Sequence, residues 1–271
     1  MEEASLQCDY PLSFGWGLAA ADRSQSDVAV VVDVLSFSTT VSIAVDRGMK
    51  VYPYGWADES AKEFARQHDA VLAVGRFEAS RSGAAVPSLS PSALLESAPI
   101  ARLVLPSPNG SSICERLRAR RADVAIGCLR NASATARHVR RALDLGQTVT
   151  VIAAGERWPE DDTLRPCLED HLGAGAVIAN LVSAGYSDRM SPEARAAGLL
   201  FAAHAHTLAQ TIRDCPSGKE LRDRGFGSDV AVATQTDVSQ GVPILVDGAF
   251  AIGASAPYSD SAEQGVGHFT E

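Results

Sequence analysis

The side chains best suited to chemistry in this sequence are acids and small polar groups gathered in four short loops. Asp33 heads residues 33–40; Asn109, Gly110 and Ser111 lie within 106–112; Arg130 and Asn131 lie within 127–133; and Glu156, Glu169 and Asp170 lie within 154–170. Hard divalent cations select oxygen ligands, and magnesium commonly takes one or two carboxylates while keeping several waters. Asp33, Glu156, Glu169 and Asp170 are therefore candidate Mg²⁺ ligands. Asp33 interrupts an apolar run, where a carboxylate is costly unless it meets a cation, a donor or water. The plainer reading is that it caps the next helix. Glu160, Asp161 and Asp162 read as an acidic surface loop.

The other members of these loops suit an anion. Ser38, Thr39 and Thr40 open a predicted helix, where first-turn N–H groups lack partners and the helix dipole is positive, so hydroxyls and amides together could cradle phosphate. Asn109-Gly110 permits a left-handed turn that would present Ser111 and Ser112 at the next helix start. An ordinary Asn-Gly turn explains the same pattern equally well. Asn131 either caps the following helix, the better single expectation, or holds a substrate oxygen. Arg130 adds a cation able to pair with an anionic ligand.

Each loop sits where a strand should hand over to a helix. Residues 27–35 are apolar without alternation, as in a strand covered on both faces by helices, and similar runs precede the loops at 106, 127 and 154. Strand-like 49–54 and 70–74 alternate with helix-like 58–67, so the fold class is α/β, with a mainly parallel sheet between two helical layers. The spacing leaves room for two similar α/β lobes within one unit spanning 1–271, with residues 77–91 as the boundary or lid. Ligands of such sheets bind at the carboxyl ends of strands, so four loops on one edge would make one pocket. After Asp170 the pattern is helical: 174–182 as a buried helix, Ser191-Pro192 starting another that continues towards Thr211, and 216–225 as a short helix ended by glycine. Residues 242–246 read as a late strand, and Pro243 suits an edge position.

Bulk properties narrow the class. The chain has 271 residues, is 46% hydrophobic and carries a formal net charge of -9, which excludes a basic nucleic-acid footprint. No apolar stretch of about 18 residues is available to span a membrane, and the acidic start Met-Glu-Glu-Ala does not resemble a secretory signal. Five cysteines without zinc-like pairing read as reduced thiols of a cytoplasmic protein. Cys128 reads as a small buried apolar residue rather than a nucleophile. His204 and His206 fall on different faces of a predicted helix and share no metal. Apolar residues scattered through the predicted helices leave a symmetric homodimer open.

The order and wording of these segments resemble the 2-phosphosulfolactate phosphatases of coenzyme M biosynthesis. The resemblance spans nearly the whole chain: Val32-Asp-Val-Leu35 with Ser38-Thr-Thr40, Ser90-Pro91, Asn109-Gly-Ser111, Asn131, Ala154-Gly155 with Glu169-Asp170 and Ala174-Gly175, then Gly225, Asp229, Asp237 and Val242-Pro243. It implies a magnesium-dependent acid phosphatase that cleaves the phosphate monoester of a sulfonated lactate. In that reading Asp33 and Glu169 are catalytic, Asp33 as nucleophile, metal ligand or, with Glu169, candidate general base. The substrate rests on Ser38 to Thr40, Asn109 to Ser111, Asn131 and Arg76. Three departures stand out. Ser36 occupies a position where the family typically has Arg, Leu89 stands where Asn is expected, and residues 75–83 carry Arg76 and Arg81 where the family has a Gly-Glu-Arg-like turn. Two other readings follow from them: a phosphatase or related enzyme for a different small phosphorylated acid, and a catalytically silent protein that binds phosphate or metal.

Overall fold

A computed structural model describes residues 7, 9–76, 78–79, 87–98 and 100–253. In chain order the strands are β1 (Leu12–Trp16), β2 (Val28–Val32), β3 (Lys50–Tyr54), β4 (Val71–Leu72), β5 (Arg102–Pro106), β6 (Asp123–Gly127), β7 (Val149–Ala153), β8 (Glu156–Arg157), β9 (Leu164–Arg165), β10 (Pro243–Val246) and β11 (Ala249–Ile252). All but β8 and β9, which pair as a small hairpin, join one mixed sheet in the order β1-β7-β2-β6-β10-β11-β3-β5-β4. The fold is α/β, with helices on both faces. The loop expected as boundary or lid, 77–91, lies largely outside the described residues.

Strand β2 explains its own composition. Val28, Val30 and Val32 enter one core cluster, Ala29 and Val31 the other, and all five are buried. Successive side chains point to opposite faces, so a strand covered on both sides must be apolar throughout. On the first face lie α6 (Ala132–Asp144), α7 (Leu168–Ser183) and α8 (Pro192–His204); on the second lie α2 (Phe37–Asp46) and α5 (Gly110–Ala119). Local signals place several helix starts. Ser90 caps α4 (Pro91–Glu96) and Ser191 caps α8, each accepting the N–H of the residue three positions on, with proline following the cap.

Three expectations need correction. Strands β1, β7, β2 and β6 run parallel, as do β3, β5 and β4, but the two groups are joined only through the β10–β11 hairpin. Every pairing across it is antiparallel, β6 to β10, β10 to β11 and β11 to β3. Three reversals in series make the two groups run in opposite directions, so the carboxyl end of β5 does not share an edge with those of β2, β6 and β7. Strand β10 is therefore interior, not at an edge. Its Pro243 is tolerated because it is the first residue of the strand, and β10 registers with β6 at Ile244–Ala125 alone. The helix begun at Pro192 stops at His204, and a 3₁₀ turn (Ala205–Thr207) precedes α9 (Leu208–Asp214).

Asn131 does not cap α6. Its Oδ1 accepts the Cys128 N–H at 2.9 Å and its Nδ2 donates to the carbonyls of Ile126 and Gly241, each at 3.1 Å. The cap comes from Asp237, whose two carboxylate oxygens accept the Ser133 N–H at 2.7 Å and the Ser133 hydroxyl at 2.6 Å.

Candidate active site

Asp33 follows β2 directly and is 8% exposed. Its Oδ1 accepts the N–H groups of Ser36 at 3.0 Å and Phe37 at 3.2 Å, so the carboxylate occupies the start of α2. That is the capping role of the plainer reading, and it fills the place where a phosphate was expected. The hydroxyls expected to cradle it are engaged with backbone. Ser38 Oγ donates to the Val31 carbonyl at 3.1 Å while accepting the Asp33 N–H at 2.9 Å, Thr39 Oγ1 donates to the Val34 carbonyl at 2.8 Å, and Thr40 Oγ1 donates to the Leu89 carbonyl at 3.4 Å. A hydroxyl excluded from water must find a partner, and the backbone is nearest.

Capping does not exhaust Asp33. Burial first, and the charge of Glu156 second, push its pKa from 3.8 up to about 7, against the opposing N–H bonds of Phe37, Ser36 and Gly110. The last of these comes from the start of α5, beyond β5. Although β5 runs the opposite way, its following loop is folded back onto the β2 and β7 loops: Asn109 Nδ2 donates to Glu156 Oε2 at 2.9 Å, and Ser111 Oγ turns inward to the Leu105 carbonyl at 3.0 Å. Gly110 is not a left-handed turn residue here. It is the first residue of α5, and a Cβ on it would lie 2.2 Å from Phe37 Cδ1, so glycine is required by close approach.

The acids expected as one ligand set divide. Asp33 feels the charge of Glu156, and a cavity of about 200 Å³ opens beside Glu156 and Asn109, bounded by Gly17, Leu18, Arg157 and Leu164; Asp33 does not line it. Asp170, 4% exposed, spends both oxygens on backbone, Oδ1 on the Val34 N–H at 2.7 Å and Oδ2 on the Gly155 N–H at 2.9 Å. Burial, with Asp33 and Glu169 nearby, holds its pKa well above the ordinary carboxylate value. Glu169, 3% exposed, accepts the Cys215 thiol on Oε2 at 3.2 Å. Burial and Glu169 push that thiol up to about 12. Cys128 is fully buried and its thiol is also pushed up by burial, so it behaves as the apolar residue expected.

Arg76 enters from the other side. Its side chain is 9% exposed, its Nε lies 3.1 Å from Asp229 Oδ2, an Nη2–H donates to the Leu89 carbonyl at 3.1 Å, and the guanidinium covers the Phe226 ring. Burial pulls its pKa down, while Asp229, Asp33 and Glu156 push it up, so its charge is felt at the acid pair. Asp229 is fixed in turn by Ser90 Oγ at 2.6 Å and the Ser92 N–H at 3.1 Å on Oδ1. Sequence reasoning missed Asp229 and Asp237 as supports; each is a lone acid in the late helical region, and its partner lies more than a hundred positions away. Arg130, buried, binds Gln235 and stays with the third loop.

A buried acid whose pKa is raised by burial and by a second acid, within the field of a buried guanidinium and capped by helix-start amides, has the perturbed titration that clusters at functional sites. The model of the 2-phosphosulpholactate phosphatase family matches residues 18–248. The chain belongs to that family. Among its relatives, the 2-phosphosulfolactate phosphatase of Methanothermobacter thermautotrophicus is 29% identical over 225 residues, 82% of this chain and 88% of that protein. A probable 2-phosphosulfolactate phosphatase of Thermotoga petrophila is 28% identical over 235 residues, covering 86% and 95% respectively. One from Deinococcus radiodurans is 26% identical over 236 residues, covering 84% and 91%. The match takes in the loops bearing Asp33, Arg76, Asn109, Gly110, Glu156 and Asp170.

Proposed function

We propose that this protein is a magnesium-dependent phosphatase that hydrolyses the phosphate monoester of a small anionic hydroxy acid, 2-phospho-3-sulfolactate by its family. The observation that carries the reading is the Asp33 carboxyl, buried at the end of β2, anchored through Oδ1 and set against Glu156 and the Gly110 amide. Asp33 is the residue given the central catalytic role; the backbone and thiol bonds of Asp170 and Glu169 argue for support roles instead.

The donor set fits a hard cation. Among the described residues no three acids, histidines or cysteines form a ready-made cage, but magnesium does not need one when water completes its shell. Asp33 and Glu156 would hold Mg²⁺, whose charge would offset the repulsion that raises the Asp33 pKa. The ion, when bound, supplies positive charge to offset that on the phosphoryl oxygens. The chain supplies the rest. The Gly110 amide at the start of α5 favours the ionised form of Asp33, Asn109 orients Glu156, and Arg76 brings a fixed guanidinium that partly replaces the cation absent at Ser36. In the hydrolysis, water oxygen bonds to phosphorus, the P–O bond to the lactate oxygen breaks, and that oxygen leaves with a proton.

The test is phosphate release from racemic 2-phospho-3-sulfolactate and from a panel of phosphorylated hydroxy acids, with Mg²⁺ and with chelator. Mg²⁺-dependent release from the sulfonated ester is expected. Release from another ester alone would overturn the substrate, release in chelator would overturn the metal, and no release from any ester would leave a binding protein.

A further inference from the structure

We infer that Asp170 is a positioning residue: one carboxylate that bolts the Asp33 loop to the Glu156 loop and so sets the separation of the two acids. The inference rests on the phosphatase reading for its kinetic consequence and on geometry alone for the brace. Strands β2 and β7 are neighbours in the sheet, paired from Val28–Val149 to Val32–Ala153. The Ala154 N–H still reaches the Val32 carbonyl at 2.8 Å; past it one chain continues into Asp33 and Val34 and the other into Gly155 and Glu156, with no strand pairing between them. Asp170 restores the connection. Its Oδ1 takes the amide of the residue after Asp33 and its Oδ2 takes the amide of the residue before Glu156.

The brace is itself rigid. Asp170 lies in the first turn of α7, and three residues on that helix presses against the same loop so closely that a Cβ on Gly173 would sit 2.5 Å from Val34 Cγ2 and 2.9 Å from Val32 Cγ1. Gly155, with φ +66°, adopts a left-handed backbone, and a Cβ there would lie 2.9 Å from the Arg165 carbonyl oxygen. Both anchor points are therefore fixed from behind, and the carboxylate spans between them. A catalytic pair displaced by about 1 Å loses on the order of 100-fold in rate, so a group that sets spacing contributes to turnover without touching substrate.

Two measurements on the full chain test this. Amide hydrogen exchange of the metal-free protein, read without any substrate, compares wild type with Asp170→Asn, whose amide cannot accept both N–H groups. Val34 and Gly155 are expected to exchange at least about tenfold faster while the β2 and β7 amides keep their protection. Unchanged exchange at the two positions, or uniform acceleration across the sheet, would overturn the brace. In steady-state kinetics kcat is expected to fall about 100-fold with KM held within about threefold. A kcat within about threefold of wild type would overturn it. Asp170→Glu keeps the charge but is one methylene too long to face both amides, and it decides the matter if Asp170→Asn does not fold. Glu is expected to fail as Asn does; full activity with Glu would mean that charge, not spacing, is the contribution. If wild type releases no phosphate, the phosphatase reading falls, and the exchange pattern still decides the brace.

Discussion

Replacing Asp33 by Asn should make the metal-free protein more stable and catalytically dead at once. The acid sits with its pKa raised from 3.8 to about 7, chiefly by burial and then by Glu156. A carboxyl that is harder to ionise in the folded than in the unfolded state destabilises the fold wherever it must ionise. The penalty is absent well below the unfolded pKa of 3.8, grows as pH rises through the interval, and is complete above about 7. Each tenfold change in proton affinity is worth 1.36 kcal/mol, so the full penalty is about 4 kcal/mol at pH 8.5 and about 1 kcal/mol at pH 4.5. Asn is nearly isosteric and its carbonyl can still accept the Ser36 and Phe37 N–H groups, so the α2 cap survives while the penalty disappears. Guanidinium unfolding in chelator at pH 8.5 and 4.5 checks this: the variant should exceed wild type by several kcal/mol at the higher pH, and the advantage should shrink by about 3 kcal/mol at the lower. Phosphate release by the variant with Mg²⁺ should be lost. An Asp33→Asn protein that is no more stable than wild type at pH 8.5, or one that turns over normally, would refute the assignment of a strained, functional carboxyl.

Two further outcomes follow from the supports of the site. Gly110→Ala places a methyl 2.2 Å from the buried Phe37 ring at the residue whose amide reaches Asp33, so it should cost about 1–3 kcal/mol in chemical denaturation and lower kcat as well; a neutral effect on both would refute the close-approach argument. Asp229→Ala strands the buried guanidinium of Arg76 and should cost about 3–5 kcal/mol, whereas the double change Asp229→Leu with Arg76→Met should recover most of that stability while raising KM, measured by denaturation and steady-state kinetics.

The α/β class, the strands with their continuous apolar runs, the helix start at Ser191-Pro192, and the loops that hold Asp33, Asn109 and Glu156 are all legible in the sequence, because each depends on preferences acting within a few residues. The partners of the polar side chains are not. Ser38, Thr39 and Ser111 look like anion binders by position, yet burial turns their hydroxyls onto nearby carbonyls. Asn131 looks like a cap, and the cap is Asp237, 104 positions from the Ser133 it binds. The reversal of strand direction through the β10–β11 hairpin is likewise invisible locally, since one-dimensional spacing does not say which strands become neighbours. Residue types and their spacing determined that acids, amides and a cation were available at strand ends. Only the tertiary structure decided that Asp33 is buried within the field of Glu156 while Asp170 turns both oxygens to backbone, because desolvation and hydrogen-bond satisfaction are settled by what packs against a group in space.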